Sequence, residues 1–384
     1  MALITIFPNK NTDVDEFIKS ICFVSSQIIG VTKEEQKILV ETTDGCDSEE
    51  LRSNLLKMMQ KYTLISVEQE IFFKNETGLK EYFDLESIES DVIFFGNGQI
   101  GFGEKGIFLM DYLDVLFRNI ALSKDAEEKI YPVMLSLDEY SLTGYIRKTP
   151  QYTIFCSSVN DNMSDLEKTD SAICEGNVKK IIKEPVYALS PSACFHTYME
   201  YRNKTLTKET VFTFRQNVFR NEGRLNYSEI GRLCDYHVRE IVMIGSNDFV
   251  VGVRNEIMDE IPKLMEKLEL KGDIALASDS FVIPKMQIYR KIQRIDKSKY
   301  EMHLYVKKNK AISTASFNLH GRAFTDPFGI SVEGCENTVT ACVGFGLQRW
   351  VLAFFAQHGF NVQKWPVEVR LAYEQQRKDK KGRR

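Results

Sequence analysis

"ACVGFGLQRW" (residues 341–350) joins two kinds of sequence. Upstream, "TVTACVGF" (338–345) is a short β-rich run. Downstream, "LQRWVLAFFAQHG" (347–359) is continuously apolar from Trp350 to Phe355 and ends on Gly359, the pattern of a buried helix with a glycine stop. Arg349 therefore stands at the mouth of a buried helix, where a permanent charge needs a partner. Cys342, on the strand just before it, reads on its own as a small buried apolar residue, with metal ligation as the alternative.

Working outward, residues 130–345 hold several more β-rich runs: "YTIFCSSV" (152–159), "VFTFRQNVFR" (211–220), "REIVMIG" (239–245), "SFVIPKMQIYR" (280–290), "EMHLYVKK" (301–308) and "KAISTASFNLH" (310–320). With few long helices between them they predict a mainly antiparallel sheet. "NEIMDEIPKLMEKLELKG" (255–272) reads as an amphipathic helix. Residues 217–245 read as a long-looped β-hairpin with Arg220 and Glu222 at its neck and Tyr236, Arg239 and Glu240 on the return strand. Arginine suits bidentate phosphate contact, an acid accepts from an exocyclic amine, and an aromatic ring stacks on a base. Taken alone, the same residues also describe a charged hairpin surface.

Earlier in the chain, residues 72–90 are charged and read as loop or helix. "DVIFF" (91–95) then predicts a short buried strand, "GNGQIGFG" (96–103) a glycine-rich turn, and "IFLMDYLDVLFRNIAL" (107–122) a helix. Gly96, Gly98 and Gly101 match G-x-G-x-x-G, but the acidic residue that a dinucleotide site wants about 20 positions on is missing, so the turn reading is preferred.

The chain has 384 residues, with 50 basic against 54 acidic, and this near balance gives no global electrostatic case for nucleic acid or membrane. No apolar run reaches the roughly 18 residues of a membrane span, and the start lacks the features of a signal peptide, so a cytoplasmic location is expected. Eight cysteines without framework spacing argue against a disulfide scaffold. The closing "RKDKKGRR" (377–384) reads as a solvated, frayed basic terminus.

Arginine between a glycine-rich strand end and a buried helix, preceded by a hairpin with R-x-E, resembles the second and third signature motifs of class II aminoacyl-tRNA synthetases. The likeness extends in family order through "YPVMLSLDEYSLTGYIRKTPQY" (131–152), "LSPSACFHTY" (189–198), "FRNEG" (219–223), "RLCDYHVREIVMIG" (232–245), "ASFNLHGRAFTDPFGI" (315–330) and "TACVGFGLQRW" (340–350). It resembles most closely the amino acid:[carrier protein] ligases, which look like truncated atypical, zinc-dependent seryl-tRNA synthetases. The resemblance implies an α+β fold with an antiparallel sheet flanked by helices. It implies an N-terminal α/β extension over 1–128, a catalytic domain over 129–370 and a basic tail over 371–384, with two copies pairing through the region around Pro132 to Pro150.

Carried over by position, the resemblance implies that Arg220 meets the α-phosphate of ATP, Glu222 reads the adenine amine, Tyr236 stacks on adenine and Arg349 contacts the γ-phosphate. It also implies a zinc ion held by Cys194, Glu240 and Cys342, with an open position for the amine of a small amino acid and Ser316 and Asn318 along its pocket. With ATP and Mg²⁺ the expected product is an aminoacyl adenylate. The expected acceptor is the phosphopantetheine thiol of a carrier protein rather than tRNA, because no basic face or anticodon module is visible. The alternatives are seryl-type aminoacylation of tRNA and a catalytically silent paralogue. The second is raised by Gln348 and Ala311, which stand where the family tends to carry acids.

Overall fold

A computed structural model describes residues 2–66, 70–76 and 81–382. Its centre is an eight-stranded sheet in the spatial order Ile71–Asn75, Gly272–Leu276, Lys299–Lys307, Lys310–Gly321, Val339–Gly346, Asp235–Gly245, Thr210–Phe219, Glu127–Glu128. All neighbours run antiparallel except the last pair. Side chains alternate across a strand, so the sheet has two differently used faces. Ile241, Met243, Ala341, Val343, Phe345 and Phe317 point into one core, shared with helices Glu104–Leu122, Asn247–Lys267 and Leu347–His358. Val238, Val242 and Cys342 point into a second core, shared with Cys194, Phe195 and Tyr198.

On the helix-covered face Phe117 stacks on Phe345 with ring centroids 4.3 Å apart, and fully buried Trp350 packs 4.9 Å from Phe117. Burying side chains of this size contributes about 1.5–3 kcal/mol each, which fixes the helix that starts at Leu347 against the sheet. Arg239 also lies on this face. Its guanidinium makes two 2.8 Å bonds to Asp114 of helix Glu104–Leu122. The hairpin reading had placed Arg239 among the nucleotide-cradling residues; the strand period sends it to the other side.

A smaller body precedes the sheet. Strands Ala2–Ile6, Ile38–Thr42 and Ile28–Lys33, in that order, pack with helices Val14–Ile21 and Ser48–Met59 around Ile6, Phe17, Val40, Leu55 and Tyr62. Asp13 and Asp47 cap the two helices through backbone N–H groups. Within the 1–128 extension, Ile71–Asn75 and Glu127–Glu128 nevertheless join the eight-stranded sheet, and helix Glu104–Leu122 lies in the main core.

Three local expectations change and one holds. Val92–Gly96 is a strand, but an exposed one: it pairs only with Gln99–Phe102, and Ile93, Phe94 and Phe95 face outward. The preferred turn reading of the G-x-G-x-x-G holds for its first part, since Asn97 at φ 51° and Gly98 at φ 74° form the left-handed pair of a tight two-residue turn, while Gly101 lies on the return strand. Residues 280–290 are not a strand: Pro284 opens a 3-10 turn and Ile288–Ile295 is a helix. The basic tail is helical within Val367–Gly382, anchored by buried Val369 and Tyr373; Arg383 and Arg384 lie outside the described residues, as do residues 77–80 of the charged 72–90 stretch. Among the described residues no helix is long and apolar enough to cross a membrane.

Candidate functional site

Strand register assembles one half of the site. Glu240 lies opposite Gly344, and Gly344 opposite Ser316. In the next row Cys342 lies opposite Asn318. All point to the face away from the three helices. Gly344 is the vacancy that lets Glu240 lie over the sheet, since a Cβ there would stand 2.8 Å from Glu240 Oε2. Cys194, immediately before the short helix Phe195–Glu200, closes over the same spot. The ligand atoms of buried Cys194, Glu240 and Cys342 lie within 4.8 Å of one another.

The chemistry of this trio suits a divalent cation. Burial first, and then the neighbouring Cys194, push the Glu240 carboxyl well above the usual carboxylate range. The Cys194 thiol is lowered because Cys342 donates to it, and Cys342 is correspondingly raised by that hydrogen bond, by burial and by Glu240. Three acids in one dry pocket cannot ionise together unaided, and a divalent ion inverts that balance. Tetrahedral zinc with Zn–S near 2.3 Å brings its ligand atoms to about 3.5–3.8 Å, so small movements of the trio suffice. Two thiols and one carboxylate fit zinc and leave a coordination position open.

Asn318, expected along the amino acid pocket, touches the trio itself, and Ser192, His320, Thr340 and Tyr198 join it without a role read from the sequence. Ser192 Oγ lies 3.3 Å from Cys194 Sγ; Asn318 Nδ2 and His320 Nε2 lie 3.5 and 3.6 Å from Cys342 Sγ. Thr340 Oγ1 and Tyr198 OH hold the other ring nitrogen of His320 at 3.1 and 3.4 Å. The signal was present in the alternation, for His320 is two residues past Asn318 and Thr340 two before Cys342. Cys234 and Cys335 stand apart from the trio.

Asn318 also donates to Ser316 Oγ at 3.1 Å. On the adjoining strand Lys299 lies opposite Asn318 and Glu301 opposite Ser316. Lys299 Nζ bridges Asp279 at 2.7 Å and Glu301 at 3.1 Å. Burial would raise the Asp279 carboxyl, but Lys299 outweighs it and the net shift is downward.

The second half gathers charge. Arg349, in the first turn of Leu347–His358, lies with its guanidinium 4.5 Å from the Tyr236 ring centroid and 4.0 Å from Glu222. Its NH1 donates to Ser313 O at 3.3 Å, while its buried Nε has no partner among the described residues. Glu222, buried, pairs with Arg232 at 3.2 Å. Arg220 stacks 5.4 Å from the Tyr152 ring centroid, and its Nε donates to Pro191 O at 2.8 Å. Glu222, Tyr236 and Arg349 are thus gathered around one guanidinium, with Arg220 at the adjoining loop end. Arg232 and Tyr152 are additions that no sequence pattern marked.

Gln348 serves its own strand neighbour. Its Oε1 accepts the His237 backbone N–H at 2.8 Å and its Nε2 meets His237 Nδ1 at 3.1 Å. Ala311 pairs with Tyr305 across two strands, and a methyl there adds no metal-binding oxygen.

No family model matches the chain. It is 28% identical over 259 residues to the type-2 serine–tRNA ligase of Methanococcus maripaludis strain C5, covering 62% of this chain and 49% of that protein. The type-2 serine–tRNA ligase of Methanocaldococcus jannaschii is 31% identical over 196 residues, 49% of this chain and 37% of its own length. The chain therefore spans about half the length of the curated relatives it matches. Among solved structures, the M. kandleri seryl-tRNA synthetase crystallised with A. aeolicus tRNASec covers 97% of this chain and 77% of its own, with a TM-score of 0.71 and 18% identity. The cytoplasmic serine–tRNA ligase of Naegleria fowleri, solved with AMP, covers 85% of this chain and 70% of its own at a TM-score of 0.57 and 8% identity.

These relatives overturn the expected acceptor. The resemblance to carrier-protein ligases implies a phosphopantetheinylated carrier protein, and the missing basic face and anticodon module argue against tRNA, whereas the matched relatives are ligases of tRNA and the M. kandleri enzyme was crystallised with one. A near-neutral chain can still carry local nucleic-acid contacts, so overall charge was a poor discriminator. The fold is that of a class II aminoacyl-tRNA synthetase, α+β on an antiparallel sheet, and the relatives of this chain are type-2 seryl-tRNA synthetases.

Proposed function

We propose that this chain forms seryl adenylate from serine and ATP and passes the seryl group to tRNA. One observation carries the reading: the buried Cys194–Glu240–Cys342 trio lies on the same sheet face as Tyr236, whose ring carries the Arg349 guanidinium with Glu222 4.0 Å from it, and Arg220 stands at the adjoining loop end against Tyr152. Serine and tRNA enter from the names of the relatives, and zinc enters from the resemblance stated above and from the donor set of the trio. Zinc, when bound by the trio, supplies an electrophilic position for the serine amine. Ser316 and Asn318, one strand over, line the space where the rest of a small amino acid lies.

The serine carboxylate attacks the α-phosphorus of ATP and expels pyrophosphate, and the chain's part is to orient and neutralise charge. Arg220 faces the α-phosphate, and Arg349, with its unpartnered Nε, faces the terminal phosphate. Tyr236 stacks on adenine. Glu222 accepts from the exocyclic amine, released from part of its present pairing with Arg232 and Arg349. Mg²⁺ accompanies ATP as its counter-ion. Pairing of two copies through 132–150 belongs to the same proposal, supported by Met134, Phe155 and Tyr187 exposed on one small three-stranded sheet.

The experiment is a pyrophosphate-exchange panel over the amino acids, followed by charging of tRNASer with the purified, zinc-supplemented chain. Exchange with serine and seryl-tRNA formation are expected. Absence of exchange with every amino acid would overturn the proposal.

A further inference from the structure

Arg220 and Glu222 carry much of the charge of the proposed nucleotide site, yet the residues directly after them belong physically to the N-terminal body. Leu225 packs against the N-terminal core. Gly223 sits at φ 92°, and a Cβ there would stand 2.7 Å from both Cys22 Sγ and Phe23 Cζ. Asn226 Nδ2 donates to Lys19 O at 3.0 Å and to Glu222 O at 2.7 Å, so one amide ties the first helix to the peptide of Glu222 itself.

Arg224 makes the widest contact. Its NH1 donates to Cys22 O at 3.2 Å, and its NH2 faces the carbonyls of Ser25 at 3.2 Å, Ser26 at 3.1 Å and Ile28. These oxygens belong to the C-terminal end of helix Val14–Ile21 and the turn into strand Ile28–Lys33. The last carbonyls of a helix lack intrahelical donors and carry partial negative charge, which suits a guanidinium with several donors.

The N-terminal body is itself held to the main body elsewhere. Asp13 pairs with Arg290 at 2.6 Å, Ser280 Oγ donates to Glu16 at 2.8 Å, and Tyr62 OH donates to Val282 O at 2.7 Å. Because that docking is independent of the loop, Arg224 fastens the loop to a fixed frame. A nucleotide-binding loop left free must be ordered at each binding event, which lowers affinity. A loop already fastened avoids that loss.

We propose that Arg224 is a positioning residue for ATP: by clamping residues 223–226 to the N-terminal body it pre-sets Arg220 and Glu222, so that the N-terminal body governs nucleotide affinity. This rests on the assignment of Arg220 and Glu222 to ATP.

The test is calorimetric titration of Mg-ATP into the wild-type chain, Arg224→Ala and Arg224→Lys, with zinc content and the serine KM in pyrophosphate exchange measured alongside. Arg224→Ala weakens ATP binding about fivefold or more, the size of an ordinary coupling between sites, and leaves zinc content and serine KM unchanged. Arg224→Lys recovers part of the loss, because an ammonium still reaches some of the carbonyls. Equal ATP affinity in wild type and Arg224→Ala overturns the clamp and leaves the ATP site standing. Parallel loss of ATP, zinc and serine marks Arg224 as a general prop and also overturns the clamp. Failure of the wild type to bind ATP removes the site assignment and the clamp with it.

Discussion

The two halves of the site are built in opposite ways. The Cys194–Glu240–Cys342 half draws two of its three ligands from adjacent, fully paired strands, and its three acids lie within 4.8 Å of one another. The Arg220–Glu222–Tyr236–Arg349 half hangs largely on a loop and a helix start, and its one buried anion, Glu222, already has two arginines. The first is rigid and gathers acids; the second is adjustable and carries a net positive charge, with Arg220, Arg232 and Arg349 against Glu222. A metal that must not move and a nucleotide that must come and go ask for that division.

The largest expected effect comes from breaking the rigid half. Cys342→Ala should reduce zinc from about one per chain to background and cut serine-dependent exchange by more than about a hundredfold, since a ligand matters at least as much as its outer-shell partners; metal analysis and exchange kinetics read both. Cys335→Ser is the matched control and should change neither. Arg349→Ala should lower kcat for exchange by about 10²–10³-fold, the scale for losing one charge-stabilising donor, with zinc content intact. Loss of zinc in that variant would show that the halves are not separate.

Subtler changes sharpen the contrast. Gly344→Ala places a methyl against Glu240 and should weaken zinc about tenfold in competition with a chromophoric chelator, while ATP affinity stays put. Acid should act on the metal half in the same direction. Glu240 and Cys342 hold their protons more tightly than usual, protons compete with the metal, and zinc affinity should therefore fall as pH is lowered.

The smallest effect concerns stability. Burial alone would lower His303, but bonds to Asp273 and Glu301 outweigh it and raise it from 6.5 to about 9. A raised folded-state value stabilises fully below the unfolded value, so the melting temperature should decline as pH rises from 6.5 towards 9. His303→Gln should flatten that slope.

Much of this was legible in the chain. The runs at 211–220, 239–245, 301–308, 310–320 and 338–345 are all strands of the central sheet, and the helix after Arg349 stops at Gly359 as its glycine suggests. Cys194, Glu240 and Cys342, far apart in sequence, converge. Periodicity failed where tertiary cover decides. "DVIFF" is apolar enough for a core strand, yet no layer covers most of it. "SFVIPKMQIYR" has strand-like composition, but Pro284 turns the chain and the N-terminal body grips Val282 and Arg290. Arg232 and Tyr152 reach the site from loop and 3-10 segments whose sequence carries no spacing to read. Arg239 differs in parity from Tyr236 and Glu240, and the strand accordingly turns it to the opposite face, against Asp114.

The central claim is that Cys194, Glu240 and Cys342 hold a zinc ion with one position free for serine. X-ray absorption at the zinc edge of the purified chain, before and after serine is added, tests it most directly. Two sulfurs near 2.3 Å and two lighter ligands near 2.0–2.2 Å are predicted, with only the lighter shell changing on addition of serine. A chain without zinc, or zinc bound by a different number of sulfurs, would contradict the account.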